Sequence, residues 1–273
     1  MNAERIRVRG RVQGVGFRPT VARLAGALGL PGWVKNDAEG VEIALGGTPA
    51  ARDHFVAELV RALPPLARIE ALERGGAVEL PAAPGFAILE SGVAGERAPA
   101  ATVIPDAAVC AACAADVLDP LGRRYRYPFT TCTHCGPRFT IAQAVPWDRA
   151  RTTMAGFPLC AACRAEYEQP TDRRYHAEPI ACFACGPQVT LARSDRRAFA
   201  VETLTMLDAV DAVASLIARG DIVAVKGVGG FHLLVDATQP AAVARLRARK
   251  QRPSKPFALI ARDLDVVTTW CEL

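Results

Sequence analysis

The chain has 273 residues, too many for one small core, so two or three domains are expected. Hydrophobic residues make up 51% and charged residues 22%, a balance that excludes a disordered chain, and no apolar run reaches the length of a membrane span. The net charge of +5 fits phosphate-bearing ligands or occasional nucleic-acid contact but demands neither, since a solvated Arg-rich surface accounts for it as well.

Met1 to Arg11 is charged and alternating. It lacks the apolar stretch of a signal peptide, so a cytoplasmic protein is expected. Ile6, Val8 and Val12 fall on one face of a first strand, and the loop Gln13-Gly14-Val15-Gly16-Phe17 follows. Arg18 to Leu30 reads as a helix with Pro19 in its first turn. Gly32 to Asn36 and Val41 to Leu45 read as strands joined by a hairpin turn. Thr48 can cap a second helix that Pro49 enters and Pro64-Pro65 ends. Strands at Ala67 to Glu73 and Phe86 to Glu90 complete a βαββαβ order, a ferredoxin-like sandwich over residues 1–92. His54 falls on the second helix, away from the loop. Residues 93–105, rich in Gly, Ala and Pro, read as a linker.

Residues 106–195 hold an internal repeat. Cys110, Cys113, Cys132 and Cys135 recur as Cys160, Cys163, Cys182 and Cys185, and Arg123-Arg124-Tyr125 recurs as Arg173-Arg174-Tyr175. Each copy reads Cys-x2-Cys, eighteen residues, Cys-x2-Cys. Two such knuckles supply four thiolates, a set that suits tetrahedral Zn²⁺. Two closed structural sites are expected, holding together a segment with few apolar residues. The spacing leaves open whether knuckles pair within a repeat or between repeats. His134 and His176 are expected outside the ligand sets, because four thiolates already fill each tetrahedron.

The last segment, residues 200–273, reads as partial α/β structure. It comprises a helix from Leu204 to Arg219, strands at Ile222 to Val225 and Phe231 to Val235, a basic helix from Ala241 to Lys250 and a strand at Phe257 to Ala261. Three of the four lysines, Lys226, Lys250 and Lys255, fall here and suggest a site for a compact ammonium. The whole is expected to be a multidomain α+β protein.

In the first domain, glycines allow loop amides to converge where a helix begins, a natural anion cradle, and Arg18 at that entrance can grip phosphate oxygens. Gly10-Arg11-Val12-Gln13-Gly14-Val15-Gly16-Phe17-Arg18, followed by Gly32-Trp33-Val34-Lys35-Asn36, strongly resembles the acylphosphatase signature. The resemblance implies hydrolysis of acyl phosphates. Gln13, Gly14, Val15, Gly16 and Phe17 would form the phosphate-binding loop, Arg18 would bind the phosphoryl group, and Asn36 would orient the attacking water.

The stretch from Lys250 through Arg252 and Lys255 to Phe257 resembles the basic element of YrdC-type domains, which bind ATP and form acyl adenylates. Lys226 and His232 fit the element before it. The order acylphosphatase-like, twin zinc fingers, YrdC-like resembles the HypF family of [NiFe]-hydrogenase maturation carbamoyltransferases. That resemblance implies two Zn²⁺, carbamoyl phosphate as substrate, and ATP with Mg²⁺ for carbamoyl activation. It further implies transfer to a HypE-type acceptor protein. Against that family the chain ends early, so a fragment retaining the hydrolase step is expected. A zinc-dependent RNA- or protein-binding adaptor is the competing reading. It draws on the basic balance and the CxxC repeats, but the zinc segment lacks the interleaved aromatics and lysine clusters that read bases.

Overall fold

The computed structural model describes residues 2–80, 85–92, 101–195, 197 and 208–272, and they fall into two compact units, Met1–Gln188 and Val189–Leu273. Residues 204–207 at the start of the expected helix, and 93–100 of the expected linker, lie outside the described residues.

In the first unit, β1 (Asn2–Arg11), α1 (Phe17–Ala27), β2 (Gly32–Asp37), β3 (Gly40–Leu45), α2 (Pro49–Arg61), β4 (Arg68–Glu79) and β5 (Phe86–Ile88) build a five-stranded sheet in the order β4-β1-β3-β2-β5. β1 pairs antiparallel with both β3 and β4, which seats its C-terminal end, and the loop that follows, beside the β2–β3 hairpin. Alternation puts Ile6, Val8, Val34, Val41 and Ile43 on the buried face, where Val21 and Ala25 of α1 and Phe55 and Leu59 of α2 cover them. Apart from Ala25, each such side chain contributes roughly 1.5–3 kcal/mol on burial. The Thr48 hydroxyl accepts from Ala51 N at 3.2 Å and fixes the start of α2.

The zinc module has little regular structure. Its helices α3 (Ala111–Leu118) and α4 (Ala161–Glu168) each begin directly after the first cysteine of a repeat. Three 3₁₀ turns, Phe139–Ile141, Arg149–Arg151 and Thr153–Gly156, join the copies.

The second unit contains α5 (Ala209–Ala218), the hairpin β6 (Val223–Gly227) and β7 (Gly230–Leu234), α6 (Pro240–Lys250) and α7 (Leu264–Thr268). The strand expected at Phe257 to Ala261 is not formed. That stretch has an extended apolar sequence but finds no strand to pair with among the described residues, and Leu259 and Ile260 are exposed.

Candidate active site and metal centres

The four cysteines of each repeat gather within that repeat, Cys110, Cys113, Cys132 and Cys135 in one cluster and Cys160, Cys163, Cys182 and Cys185 in the other. Pairing between repeats is therefore excluded. Sulfur–sulfur separations are 3.7 Å for Cys110–Cys132 and Cys160–Cys182, and 3.8 Å for Cys132–Cys135 and Cys182–Cys185. A tetrahedron with Zn–S bonds of about 2.3 Å has edges of about 3.75 Å. A disulfide would bring the sulfurs to about 2.05 Å. The clusters thus fit two Zn²⁺ ions whose positions are all filled by sulfur, leaving none for substrate. The backbone N–H of Cys163 draws the Cys160 thiol down to about 6, toward the thiolate a metal needs. At Gly186 a Cβ would lie 2.1 Å from the Tyr127 hydroxyl, so close approach demands glycine there. His134 is exposed and only its N–H reaches Cys132 Sγ, at 3.4 Å; neither His134 nor His176 belongs to a cysteine cluster.

Each repeat also steadies the other's sulfurs. Arg123 and Arg124 bind Glu166 on α4, and Arg123 Nη2 lies 3.0 Å from Cys163 Sγ. In mirror fashion Arg173 and Arg174 bind Asp116 on α3, and Arg173 Nη1 lies 3.1 Å from Cys113 Sγ. Such outer contacts favour the charged thiolate and orient it. The sequence showed these arginines as a repeated pair, but nothing local said that each pair serves the opposite copy.

The loop after β1 leads straight into α1. Gly14 and Gly16 take φ of +71° and +81°, values open to glycine, and turn the chain into the helix. None of the Gly14, Val15 and Gly16 amides is bonded to a backbone carbonyl among the described residues, and Gly16 caps α1 without a side-chain bond. An anion could fill that cap. Val15 and Phe17 are buried in the core, so only their main chain can serve a ligand. The Gln13 side chain is engaged elsewhere. Its Nε2 donates to the carbonyls of Asp37 and Gly40, both at 2.7 Å, and its Oε1 accepts from Trp147 N at 2.9 Å.

Arg18 and Asn36 come together in one buried cleft with this loop. Arg18 Nη2 and Asn36 Nδ2 both donate to the Trp147 carbonyl, each at 3.0 Å. Arg18 Nη2 also meets Asp148 Oδ1 at 2.7 Å and Glu178 Oε1 at 2.9 Å. Asn36 is 1% exposed, and its Oδ1 is buried with no hydrogen-bond partner. An orphaned buried acceptor is costly unless a water or ligand serves it. The cavity measures about 20 Å³, room for one water molecule, so a larger ligand must displace the Trp147 carbonyl from Arg18 and Asn36.

Trp147, Asp148, Glu178 and Arg138 come from the zinc module and were not singled out from sequence. Arg138, 1% exposed, donates to the carbonyls of Gly14, Cys135, Pro137 and Thr133, and so joins the loop to the first zinc cluster. Glu178 Oε2 accepts from Arg149 N at 3.1 Å and from the Tyr167 hydroxyl at 2.9 Å. Burial pushes the Glu178 carboxyl up, while Arg18 opposes that shift. Burial also takes His176, which lines the cleft, down to about 4, so its imidazole is neutral at pH 7.

The five residues expected at a nucleotide site are not gathered. Lys226 pairs with Phe231 and His232 with Val225, so the two side chains lie on opposite faces of the β6–β7 hairpin. Lys226 lines a groove of about 790 Å³ with Arg219, Arg245 and Arg249. Lys250 and Lys255 are exposed outside that lining. Arg252 donates to the Pro256 carbonyl at 2.9 Å and stacks on Phe257, which ties down its own loop.

Three family models match the chain. The acylphosphatase family matches residues 4–88, the HypF finger family matches 109–142 and 159–192, and the family described as telomere recombination matches 215–273. Carbamoyltransferase HypF2 of Cupriavidus necator is 52% identical over 272 residues, which is 98% of this chain but 33% of that protein. The crystal structure of full-length HypF in its phosphate- and nucleotide-bound form aligns with a TM-score of 0.85 at 40% identity, over 100% of this chain and 34% of that one. Acylphosphatase 1 of Ralstonia nicotianae is 42% identical over 78 residues, 28% of this chain and 72% of that protein. The chain spans about a third of the length of its carbamoyltransferase relatives.

Proposed function

Since this chain belongs to the HypF carbamoyltransferase family and carries its acylphosphatase and zinc-finger domains, we propose that it hydrolyses carbamoyl phosphate at the cleft between Arg18 and Asn36. The observation that carries this reading is that both side chains donate to one acceptor, the Trp147 carbonyl, in a cleft lined also by Gly14 and Gly16, whose amides no backbone carbonyl holds among the described residues. Those amides and the Arg18 guanidinium would hold the equatorial phosphoryl oxygens, where charge is spread in the transition state. The free Asn36 Oδ1 would accept a hydrogen bond from the attacking water, whose proton passes to the phosphate product. As the water oxygen bonds to phosphorus, the bond to the carbamoyl oxygen breaks, and carbamate leaves with the electron pair. Carbamate is a good leaving group, so no strong general base is required.

The domain limits 1–92, 106–195 and 200–273, with 93–105 as linker, go with this reading. In the last domain the groove beside Lys226 is our candidate nucleotide site, where ATP with Mg²⁺ would activate carbamate. Arg249 then joins Lys226, while His232, Lys250, Arg252 and Lys255 would act outside that groove. Transfer to a HypE-type acceptor in the cytoplasm would be the work of the longer protein. No helix among the described residues is long and apolar enough to cross a membrane.

Phosphate release from carbamoyl phosphate, compared between wild type and Arg18→Ala, tests the hydrolase reading. The substitution should lower kcat/KM by about 10²–10³ or more. Equal inactivity of both proteins, with RNA bound in a steeply salt-dependent way, would favour the adaptor instead.

A further inference from the structure

The cleft has two walls of different origin. The loop, Arg18 and Asn36 form one; Arg138, Trp147, His176 and Glu178 of the zinc module form the other. A phosphoryl group held by the loop amides occupies the first wall, so the acyl end of an acyl phosphate is left facing the second. What that second wall offers decides which acyl group is accepted.

Its polar groups differ in how far they are already used. The Arg138 guanidinium is spent on main-chain carbonyls. The Trp147 carbonyl accepts from Arg18 and Asn36, which uses both of its lone pairs. Glu178 is different. Two carboxylate oxygens offer about four acceptor sites. Three donors are on them: Arg18 Nη2, Arg149 N and the Tyr167 hydroxyl. The carboxylate is 2% exposed, yet it lines the cleft and retains an acceptor site.

We propose that Glu178 is a specificity-determining residue that accepts a hydrogen bond from the carbamoyl NH₂, so that the zinc module selects carbamoyl phosphate over other acyl phosphates. This rests on the acyl-phosphate hydrolysis proposed above. An NH₂ group donates; the methyl of acetyl phosphate has the same size and cannot. A methyl there leaves one acceptor site of a buried carboxylate without a donor, and sites built to bond an N–H discriminate against analogues lacking it. The Ralstonia acylphosphatase matches only the first domain over most of its length, so it has no room for a zinc module of this size. The selecting group is thus an addition to a cradle that serves acyl phosphates generally.

The test is kcat/KM for carbamoyl phosphate and acetyl phosphate, measured on the zinc-loaded chain as wild type, Glu178→Gln and Asp148→Asn. Wild type should favour carbamoyl phosphate by about tenfold or more. In Glu178→Gln, Arg149 N and the Tyr167 hydroxyl hold the amide oxygen on their side and leave its NH₂, a donor, toward the cleft, so the ratio should fall toward one. Asp148 touches Arg18 but not the cleft, so Asp148→Asn should lower both rates and leave the ratio where it was. A role confined to holding Arg18 predicts equal losses on both substrates in Glu178→Gln. An unmoved ratio in that variant, or a wild-type ratio near one, overturns the proposal. Zinc content and circular dichroism report whether Glu178→Gln folds. If it does not, calorimetry on wild type decides with phosphonoacetamide and acetonylphosphonate, which differ by NH₂ against CH₃. Binding of the amide about tenfold tighter supports the subsite, and equal binding sinks it. That pair still reads the subsite if neither acyl phosphate is hydrolysed, an outcome that would defeat the hydrolase reading alone.

Discussion

The two zinc repeats share one frame and put it to different uses. Both hold four sulfurs at the same spacing, and both reach across with an arginine pair to an acid on the other's helix. Both even place a non-glycine residue in the left-handed region at the same point, Arg126 at φ +61° and His176 at φ +50°. They part company directly afterwards. Where the first copy has Tyr127-Pro128, the second has Ala177-Glu178, and Glu178 meets Arg18. The knuckles diverge too: Arg138 enters the loop of the first domain, while its counterpart Gln188 is exposed and bonds only locally. The shared residues hold the frame, and Arg138 and Glu178, where the copies differ, line the candidate site.

That contrast can be broken at several positions. The largest difference is expected at the Arg138–Gln188 pair. Arg138→Met keeps the buried stem but strands several carbonyls, and should cost about 3–5 kcal/mol in urea unfolding. Gln188→Ala, on an exposed surface, should stay within about 0.5 kcal/mol. Similar costs for both would mean that the asymmetry is superficial.

A smaller effect is expected from the shared frame itself. Burial alone would raise the Glu166 carboxyl, but Arg124 and Arg123 outweigh it and hold the group at about 2, against an ordinary 4.5. A depressed carboxylate stabilises the fold above its unfolded pKa, and that stability is lost as pH falls through the folded one. Part of the stability this ion pair gives should therefore drain away between pH 4.5 and about 2. Thermal melts across this window should show a shallower fall in Glu166→Gln. Identical pH profiles would mean that the cross-repeat pairs add nothing measurable.

Much of the scaffold was legible because its signals are local. The alternation of Ile6, Val8 and Val12, the Thr48-Pro49 helix start and the cysteine spacing each depend on neighbours within a few turns of chain. The convergence of the loop, Arg18 and Asn36 was legible as well, since β1 and the β2–β3 hairpin lie side by side in the sheet. The second wall was not. Trp147 and Glu178 reach Arg18 across more than a hundred residues, and no periodicity reports such a contact. The available clue was negative: the repeat lapses at Pro128 and Glu178. The apolar stretch from Phe257 to Ala261 misled in the opposite direction, because strand composition forms no strand without an edge to pair with.

Zinc withdrawal bears most directly on a cleft walled by two modules. Carbamoyl phosphate hydrolysis by the intact chain would be followed while a chelator removes the two ions and metal content is measured in the same samples. The value of kcat/KM should fall in step with bound zinc, by at least about tenfold when both ions are gone. A metal-free chain that still hydrolyses carbamoyl phosphate at the starting rate would contradict this.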